Sequence, residues 1–248
     1  MLGNINSDYV STSAMAHGDT LGTVLARMQN EGIRKIEIGI GPRPEKGILD
    51  TISRYSEGTN SVTAHANCPL GADGELLNQE RDFTKILLSC DRAGIDRYTV
   101  HAPRKRDFPT FDEFLKWAAL KWGAAGERVT TFGVETMYPA REPFWLDSYD
   151  EVARFLEWTD ILEWPHPLVA DVAHLQIGVE QGTWTEDQVE LVLRSEQVLE
   201  FHYSDNDGIN DKHQRYVEGS NPRIDRWLSL CNKTSMDFVD EGRRRVKT

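Results

Sequence analysis

Ionisable side chains recur at the last position of short apolar or β-branched runs. They are His65, His101, Glu135, Asp171 and His202, which end the runs Thr-Ala-His, Thr-Val-His, Gly-Val-Glu, Val-Ala-Asp and Glu-Phe-His. Imidazoles and carboxylates are the side chains that hold Zn²⁺, Mn²⁺ and related cations. Such groups are rarely buried unless they are paired or bound to metal, and five of the seven histidines lie at or just after these run ends. The pattern therefore predicts a metal site.

Further candidates of the same chemical types follow closely along the chain. His174 lies three residues after Asp171, where a turn could bring both side chains to one centre. Asp205, Asp211 and His213 follow His202 in a segment rich in Asn, Asp and Gly, which is typical of a loop. Any one of these residues is more simply explained as a helix cap or a turn residue, so the metal prediction depends on the set.

Short β-like runs alternate with longer amphipathic segments, a pattern typical of βα units around a parallel sheet. The strand candidates are Tyr9–Ser13, Lys35–Ile40, Ser61–His65, Arg97–His101, Arg128–Glu135, Leu168–Asp171, Val198–His202 and Ser235–Val239. The helix candidates are Thr20–Glu31, Lys46–Tyr55, Leu76–Ala93, Thr110–Gly123, Tyr149–Trp158, Thr185–Ser195 and Pro222–Cys231. Since no linker or composition shift divides the chain, we predict an α/β fold with one domain over residues 1–248, a single (β/α)8 TIM-type barrel.

The predicted strands place the ionisable residues at one end of this barrel. Side chains of a strand alternate with a period of two, so Thr63 shares a face with His65, and Thr99 shares a face with His101. If that face points inward, the strand-end residues converge at the carboxyl ends of the strands, where the active sites of such barrels are built. Glu37 also alternates inward, where it could pair with a buried base or contact a substrate.

Composition excludes several classes of protein. The net charge of −12 disfavours extended nucleic acid as a partner, because binding a polyanion depends on Lys and Arg. No apolar run is long enough to span a bilayer and no secretory signal is evident, so we expect a soluble protein of the cytoplasm without a membrane partner. Three widely spaced cysteines fit reduced thiols. A homo-oligomer is left open.

An ordered series of short motifs resembles the xylose isomerase-like barrel superfamily, which includes sugar-phosphate isomerases, epimerases and family 2 AP endonucleases such as endonuclease IV. The resemblance covers nearly the whole chain. It is carried by IEIG at Ile36–Gly39, His65, His101, VET at Val134–Thr136, DVAH at Asp171–His174, HYSDNDG at His202–Gly208 and DKH at Asp211–His213.

The two branches of the superfamily imply different metal sites. The isomerase and epimerase branch implies one divalent metal held by Glu135, Asp171, His202 and an acidic residue of the last strand. That acid is normally Glu; here Asp237 is the best match, with Asp240 and Glu241 as alternatives. The endonuclease IV-like branch implies a trinuclear zinc site that adds His65, His101, His174, Asp211 and His213.

The compact and acidic chain favours the first branch. We expect an isomerase or epimerase of a sugar or related small polyhydroxy carbonyl compound, with Mn²⁺ or Zn²⁺ as cofactor and Co²⁺ or Fe²⁺ as alternatives. A proton would move through an enediolate, with Glu135 and Asp237 as the acid–base pair and His174 orienting hydroxyl groups. The alternatives are a multinuclear-zinc phosphoester hydrolase and a non-catalytic metal- or sugar-binding barrel. The candidates for substrate contact are His65, His101, His213 and Glu37.

Overall fold

Eight parallel strands close into a barrel in chain order, each paired with its neighbours in sequence and the last paired with the first. The computed structural model describes residues 9–15, 19–39, 52, 54–55, 61–66, 90–126, 131–231 and 236–243. The strands are β1 Tyr9–Ser11, β2 Lys35–Gly39, β3 Ser61–Ala66, β4 Arg97–His101, β5 Thr131–Glu135, β6 Leu168–Asp171, β7 Val198–Tyr203 and β8 Asp237–Asp240.

Helices follow most of the described strands. They are α1 Leu21–Asn30, α2 Phe111–Gly126, α3 Tyr149–Ile161, α4 Val172–Glu180, α5 Glu186–Leu193 and α6 Pro222–Cys231, with a short 3-10 helix at Thr12–Met15. Sequence-encoded caps set where several of them begin. At α5 the Thr185 hydroxyl accepts from the Gln188 N–H and the Gln188 side chain accepts from the Thr185 N–H, a reciprocal capping box. Thr110 and Glu113 form a similar pair at the start of α2.

The apolar core fills the layer between the barrel and its helices. Trp164, in the segment between α3 and β6, stacks on Trp122 of α2 at 5.2 Å and on Phe132 of β5 at 5.8 Å. The indole N–H of Trp164 also donates to the Phe132 carbonyl, so this ring satisfies its polar atom inside the core. This packing holds β5, and the functional residue at its end, firmly in the barrel wall.

The amino-terminal end of the barrel interior is closed by a buried cation. Arg97, the first residue of β4, places Nε 3.0 Å from Glu200 Oε2 and Nη1 2.7 Å from Asp237 Oδ2. Its guanidinium lies 4.7 Å from the centre of the Tyr9 ring. Because a buried arginine requires paired anions, this contact accounts for the buried carboxylate of Glu200 and for the partly exposed carboxylate of Asp237.

All eight predicted strands are confirmed, and the predicted bounds of strands and helices differ from the observed ones at the ends. The last strand begins at Asp237 rather than Ser235, and α2 continues to Gly126, beyond the predicted end at Gly123. Helix α4 directly follows Asp171 and was absent from the predicted helices. The helices predicted at 46–55 and 76–93 lie outside the described residues, except for residues 52, 54–55 and 90–93.

Candidate metal centre

Glu135 lies at the centre of the carboxyl-terminal end of the barrel. It is the last residue of β5 and is fully buried. Its Oε2 lies 2.9 Å from His65 Nε2 and 3.3 Å from His101 Nε2. Its Oε1 lies 3.5 Å from His174 Nδ1 and 3.8 Å from His202 Nδ1. One carboxylate thus faces four imidazoles that come from β3, β4, β7 and α4.

Asp171 and His174 are positioned by the junction of β6 with α4. Asp171 is the N-cap of α4, and its Oδ1 accepts from the backbone N–H groups of Ala173 and His174 at 2.6 and 2.9 Å. Thr136 secures the same junction, because its hydroxyl accepts from the Asp171 N–H and its carbonyl lies 2.7 Å from His174 Nδ1. Cap and metal ligand are therefore compatible roles: Oδ1 caps the helix and Oδ2 remains free of hydrogen bonds.

Glu241 is the acidic residue that the last strand contributes to this cluster. It directly follows β8, and its N–H donates to the Tyr203 carbonyl at 3.0 Å. Its Oε1 lies 3.6 Å from both His65 Nδ1 and His202 Nδ1, and its Oε2 lies 3.6 Å from His213 Nδ1. The side chain is buried.

The structure corrects the choice of Asp237. This residue begins β8, pairs with Arg97 at the opposite end of the barrel and has a side chain that is 35% exposed. Because the strand runs from Asp237 to Asp240 rather than from Ser235 to Val239, Asp237 is its first residue, and the acidic residues at its carboxyl end are Asp240 and Glu241. Asp240 Oδ1 accepts from the Gly242 N–H, whereas Glu241 points into the cluster.

The loop after β7 adds a second layer at the rim. Asp211 Oδ2 lies 3.4 Å from His174 Nε2 and 3.0 Å from His213 Nε2. His213 adopts a positive φ of 46°. Asp205, another loop candidate, instead accepts from Asn221 and Ser220, and so secures the loop.

The donor atoms fit a divalent cation. Three groups each keep one ligand atom per residue within 4.8 Å of the others: Glu135, Asp171, His202 and Glu241; His65, His101 and Glu135; and Glu37, His65, His202 and Glu241. Buried atoms without a hydrogen bond include both Glu135 oxygens, Asp171 Oδ2, His65 Nε2 and His202 Nδ1. Leaving such atoms unpaired costs folding free energy, and cation binding would satisfy them.

Burial and the short distances between opposite charges shift the pKa values of the carboxylates in the cluster. Burial alone would raise the pKa of Glu135, but His101, His65 and His202 outweigh it and hold that pKa well below its ordinary value. Burial raises the pKa of Asp171 to about 7, although the nearby His174 opposes the shift. The cluster therefore combines a carboxylate held ionised by imidazoles with one that titrates near neutrality.

The pKa values of two histidines are likewise shifted in opposite directions. Burial lowers the pKa of His101 to about 4, more strongly than Glu135 raises it. At His213 burial also acts to lower the pKa, but the hydrogen bond to Asp211 and the charge of Glu241 raise it to about 9. Since a metal displaces protons from its ligands, binding here competes with these ion pairs.

Comparison of the sequence with known proteins finds no matching family model and no matching curated protein. Comparison of the structure finds D-psicose 3-epimerase from Clostridium cellulolyticum H10, solved with D-tagatose, at a TM-score of 0.65 and 10% identity over 93% of this chain and 83% of that one. The IolI protein with a bound zinc atom matches at 0.67 and 13% identity over 93% and 86% of the two chains.

A third match is a fusion of a xylose isomerase-like TIM barrel with a 4-hydroxyphenylpyruvate dioxygenase, at a TM-score of 0.68 and 12% identity over 97% of this chain and 39% of that one. The fold is that of the xylose isomerase-like barrels. At such low identities this likeness establishes the architecture alone.

Within this barrel, the structure gathers nine of the ten predicted site residues at one end and leaves out Asp237. The nine are Glu37, His65, His101, Glu135, Asp171, His174, His202, Asp211 and His213. Sequence reasoning passed over Glu200, which lies 3.3 Å from His202 Nε2, although its position two residues earlier on β7 indicated the shared face. It also passed over Tyr138, whose ring centre lies 4.9 Å from that of His174.

Proposed function

We propose that the protein is a divalent-metal-dependent isomerase or epimerase of a sugar or related small polyhydroxy carbonyl compound. The observation that carries the proposal is the buried group of Glu135, Asp171, His202 and Glu241, with donor atoms within 4.8 Å of one another at the catalytic end of the barrel. The structural likeness to D-psicose 3-epimerase and to zinc-bound IolI supports both the reaction class and a divalent metal.

A bound metal at this group would supply positive charge that stabilises an enediolate form of the substrate. The protein's own task is to move the proton. Glu135 ends β5 and Glu241 follows β8, so the two carboxylates approach the centre from different sides of the barrel. One removes a proton from the carbon next to the carbonyl, and the other returns it. General acid–base catalysis of this kind contributes about 10²–10⁴-fold to a rate.

The surrounding imidazoles are suited to orient hydroxyl groups. The Thr136 carbonyl lies 2.7 Å from His174 Nδ1 and so holds the proton on that nitrogen, while Nε2, a buried atom without a hydrogen bond, faces Asp211 at the rim. His101 and His213 have side chains that are 21% and 30% exposed, so both lie where a substrate would enter. We propose Mn²⁺ or Zn²⁺, since a mixed set of imidazoles and carboxylates suits either ion.

Replacing single carboxylates tests the centre. We expect Glu135→Gln and Asp171→Asn each to lose metal-dependent turnover and to retain less metal, while the far-ultraviolet circular dichroism stays that of the unaltered protein. The reason is that each substitution removes an anionic ligand at the barrel's end and leaves the apolar layer intact. Full metal occupancy with normal turnover in both variants would exclude these residues from the site.

A second candidate function is metal-dependent phosphoester hydrolysis. The specific observation is that Glu135 belongs to two ligand groups at once, because Oε2 faces His65 and His101 while Oε1 faces His202. A carboxylate so placed can bridge two cations, and His174, Asp211 and His213 offer a further set of donors. Sites with two or more metals are frequent in phosphoesterases.

Metal counting combined with proton exchange separates the two functions. For the isomerase or epimerase we expect one or two metals per chain and incorporation of deuterium next to the carbonyl of candidate ketoses in deuterated water, observed by NMR. Three tightly held zinc ions, no deuterium incorporation across the substrate panel and release of alcohol or phosphate from a phosphoester would together replace the first function with the second.

A further inference from the structure

Glu37 is a buried carboxylate that contacts two candidate ligand histidines from below. Its Oε1 lies 3.5 Å from His65 Nδ1, and its Oε2 lies 3.2 Å from His202 Nε2. The residue is fully buried. In the strand register Glu37 pairs with Thr63, one inward-facing layer beneath His65. A substrate arriving from the carboxyl end of the barrel therefore meets the histidines before it meets Glu37.

The opposite nitrogens of the same two rings face the centre. His65 Nε2 lies 2.9 Å from Glu135 Oε2, and His202 Nδ1 lies 3.8 Å from Glu135 Oε1 and 3.6 Å from Glu241 Oε1. Both nitrogens are buried and have no hydrogen bond. His202 thus presents Nε2 to Glu37 and Nδ1 to the ligand group, whereas His65 presents Nε2 to Glu135 and Nδ1 to both Glu37 and Glu241, at 3.5 and 3.6 Å.

A neutral imidazole carries a single proton, so the partner of one nitrogen decides whether the other can bind a cation. Glu37 lies within ion-pair distance of His65 Nδ1 and His202 Nε2, and Glu200 forms a hydrogen bond with the same His202 nitrogen. A proton held on each of these nitrogens leaves the lone pairs of His65 Nε2 and His202 Nδ1 for a metal. Carboxylate partners of this kind orient ligand histidines and raise their basicity.

We infer that Glu37 is a positioning residue that selects the metal-binding tautomer of both His65 and His202. This inference depends on the metal site of the proposed function, to which His202 belongs, and takes His65 as a ligand in the neighbouring group with His101 and Glu135. It assigns Glu37 a place behind the ligands rather than in contact with substrate.

Glu200 contacts the same nitrogen of His202 but differs from Glu37 in its partners. Its Oε1 accepts from the Thr99 hydroxyl at 2.5 Å and lies 3.3 Å from His202 Nε2, while its Oε2 lies 3.0 Å from Arg97 Nε. The charge of Glu200 is thus balanced by a permanent cation, whereas among the described residues the positive groups that face Glu37 are the two imidazoles themselves. Removal of the Glu37 charge should therefore act directly on the ligand histidines.

The test compares the metal affinity of Glu37→Gln with that of the unaltered protein, with Zn²⁺ in competition with a chromophoric chelator. We expect affinity to fall about 10–100-fold, as it does when such outer partners are lost. With Co²⁺ in place of Zn²⁺, the visible absorption bands should shift, because the histidine donors change orientation. Glu151→Gln is the matched control: Glu151 is a largely buried glutamate whose partner is Lys105, 2.6 Å away, and its variant should bind both metals normally.

Glu37→Asp provides a second variant if Glu37→Gln fails to fold. It keeps the charge but shortens the reach, so we expect weaker metal binding with unchanged thermal unfolding of the metal-free protein. Glu37→Gln with normal affinity and an unchanged Co²⁺ spectrum overturns the inference and leaves the proposed function intact. If Glu37→Gln does not fold, normal affinity of Glu37→Asp overturns it in the same way. An unaltered protein that binds no metal overturns both.

Discussion

Two acidic residues, one at the start of the last strand and one directly after it, lie four positions apart and serve different ends of the barrel. Asp237 neutralises Arg97 at the amino-terminal end, and Glu241 contacts His65, His202 and His213 at the other end. Because the strand runs along the barrel, two residues four positions apart lie near its opposite ends. Asp237 therefore forms a stabilising ion pair, and Glu241 takes a ligand position.

Paired substitutions distinguish these roles. We expect Glu241→Gln to reduce the bound metal sharply, because it removes an anionic donor from the central group. Asp237→Asn should bind metal normally. Its free energy of unfolding should fall by about 1 kcal/mol, because the partly exposed ion pair with Arg97 is lost while Arg97 keeps its ion pair with Glu200. Metal analysis and urea unfolding measure the two effects. Equal metal loss in both variants would contradict the assignment.

At the level of elements, side chains of β6 and β7 pack closely against β5, and a glycine makes this possible. A Cβ atom on Gly133 would lie 2.8 Å from Leu199 Cδ2 and 2.9 Å from Val169 Cγ2. Leu199 is the extra residue of a bulge, because Leu168 pairs with Val198 and Val169 pairs with Glu200. Bulges of this kind redirect side chains beside active sites, and here the bulge returns Glu200 and His202 to the inward face.

The strand glycine and a helix glycine should respond oppositely to the same substitution. We expect Gly133→Ala to lower the free energy of unfolding by about 1–3 kcal/mol through overpacking. Gly123 lies in α2 with no atom within 4 Å of a built Cβ, so Gly123→Ala should raise that free energy by roughly 0.5–1 kcal/mol. Urea unfolding of both variants checks the signs. A stabilised Gly133→Ala would show that the barrel interior has room at this point.

For the whole molecule, the net charge of −12 argues against a polyanionic partner even though the donor set would suit a phosphoesterase. We expect an abasic-site duplex to bind weakly or not at all at physiological salt, because few counterions would be released. Fluorescence anisotropy of a labelled duplex measures binding, and gel analysis with added metal measures cleavage. Efficient metal-dependent cleavage would place the hydrolase first.

Other expectations at this scale stay predictions. They are a single domain over residues 1–248, a cytoplasmic location and the absence of a nucleic-acid partner. Among the described helices, none is long and apolar enough to cross a membrane.

The sequence by itself determined the barrel and the chemical types gathered at its end. Strand residues alternate in direction and parallel strands end at the same rim, so His101, Glu135 and Asp171 could be placed together from local pattern alone. The start of a helix could also be predicted from local sequence where a capping residue is present, as at Thr185.

Only the tertiary structure decided which acid of the last strand joins the group and what Glu37 contacts. The first depends on where β8 begins, which its pairing with β7 sets by joining Asp237 to Glu200 and Asp240 to Tyr203. The second depends on distances across the barrel from β2 to β7, where Glu37 meets His202. The physical reason is that periodicity specifies the face of a strand, whereas register and contacts across the interior arise when distant segments pack together.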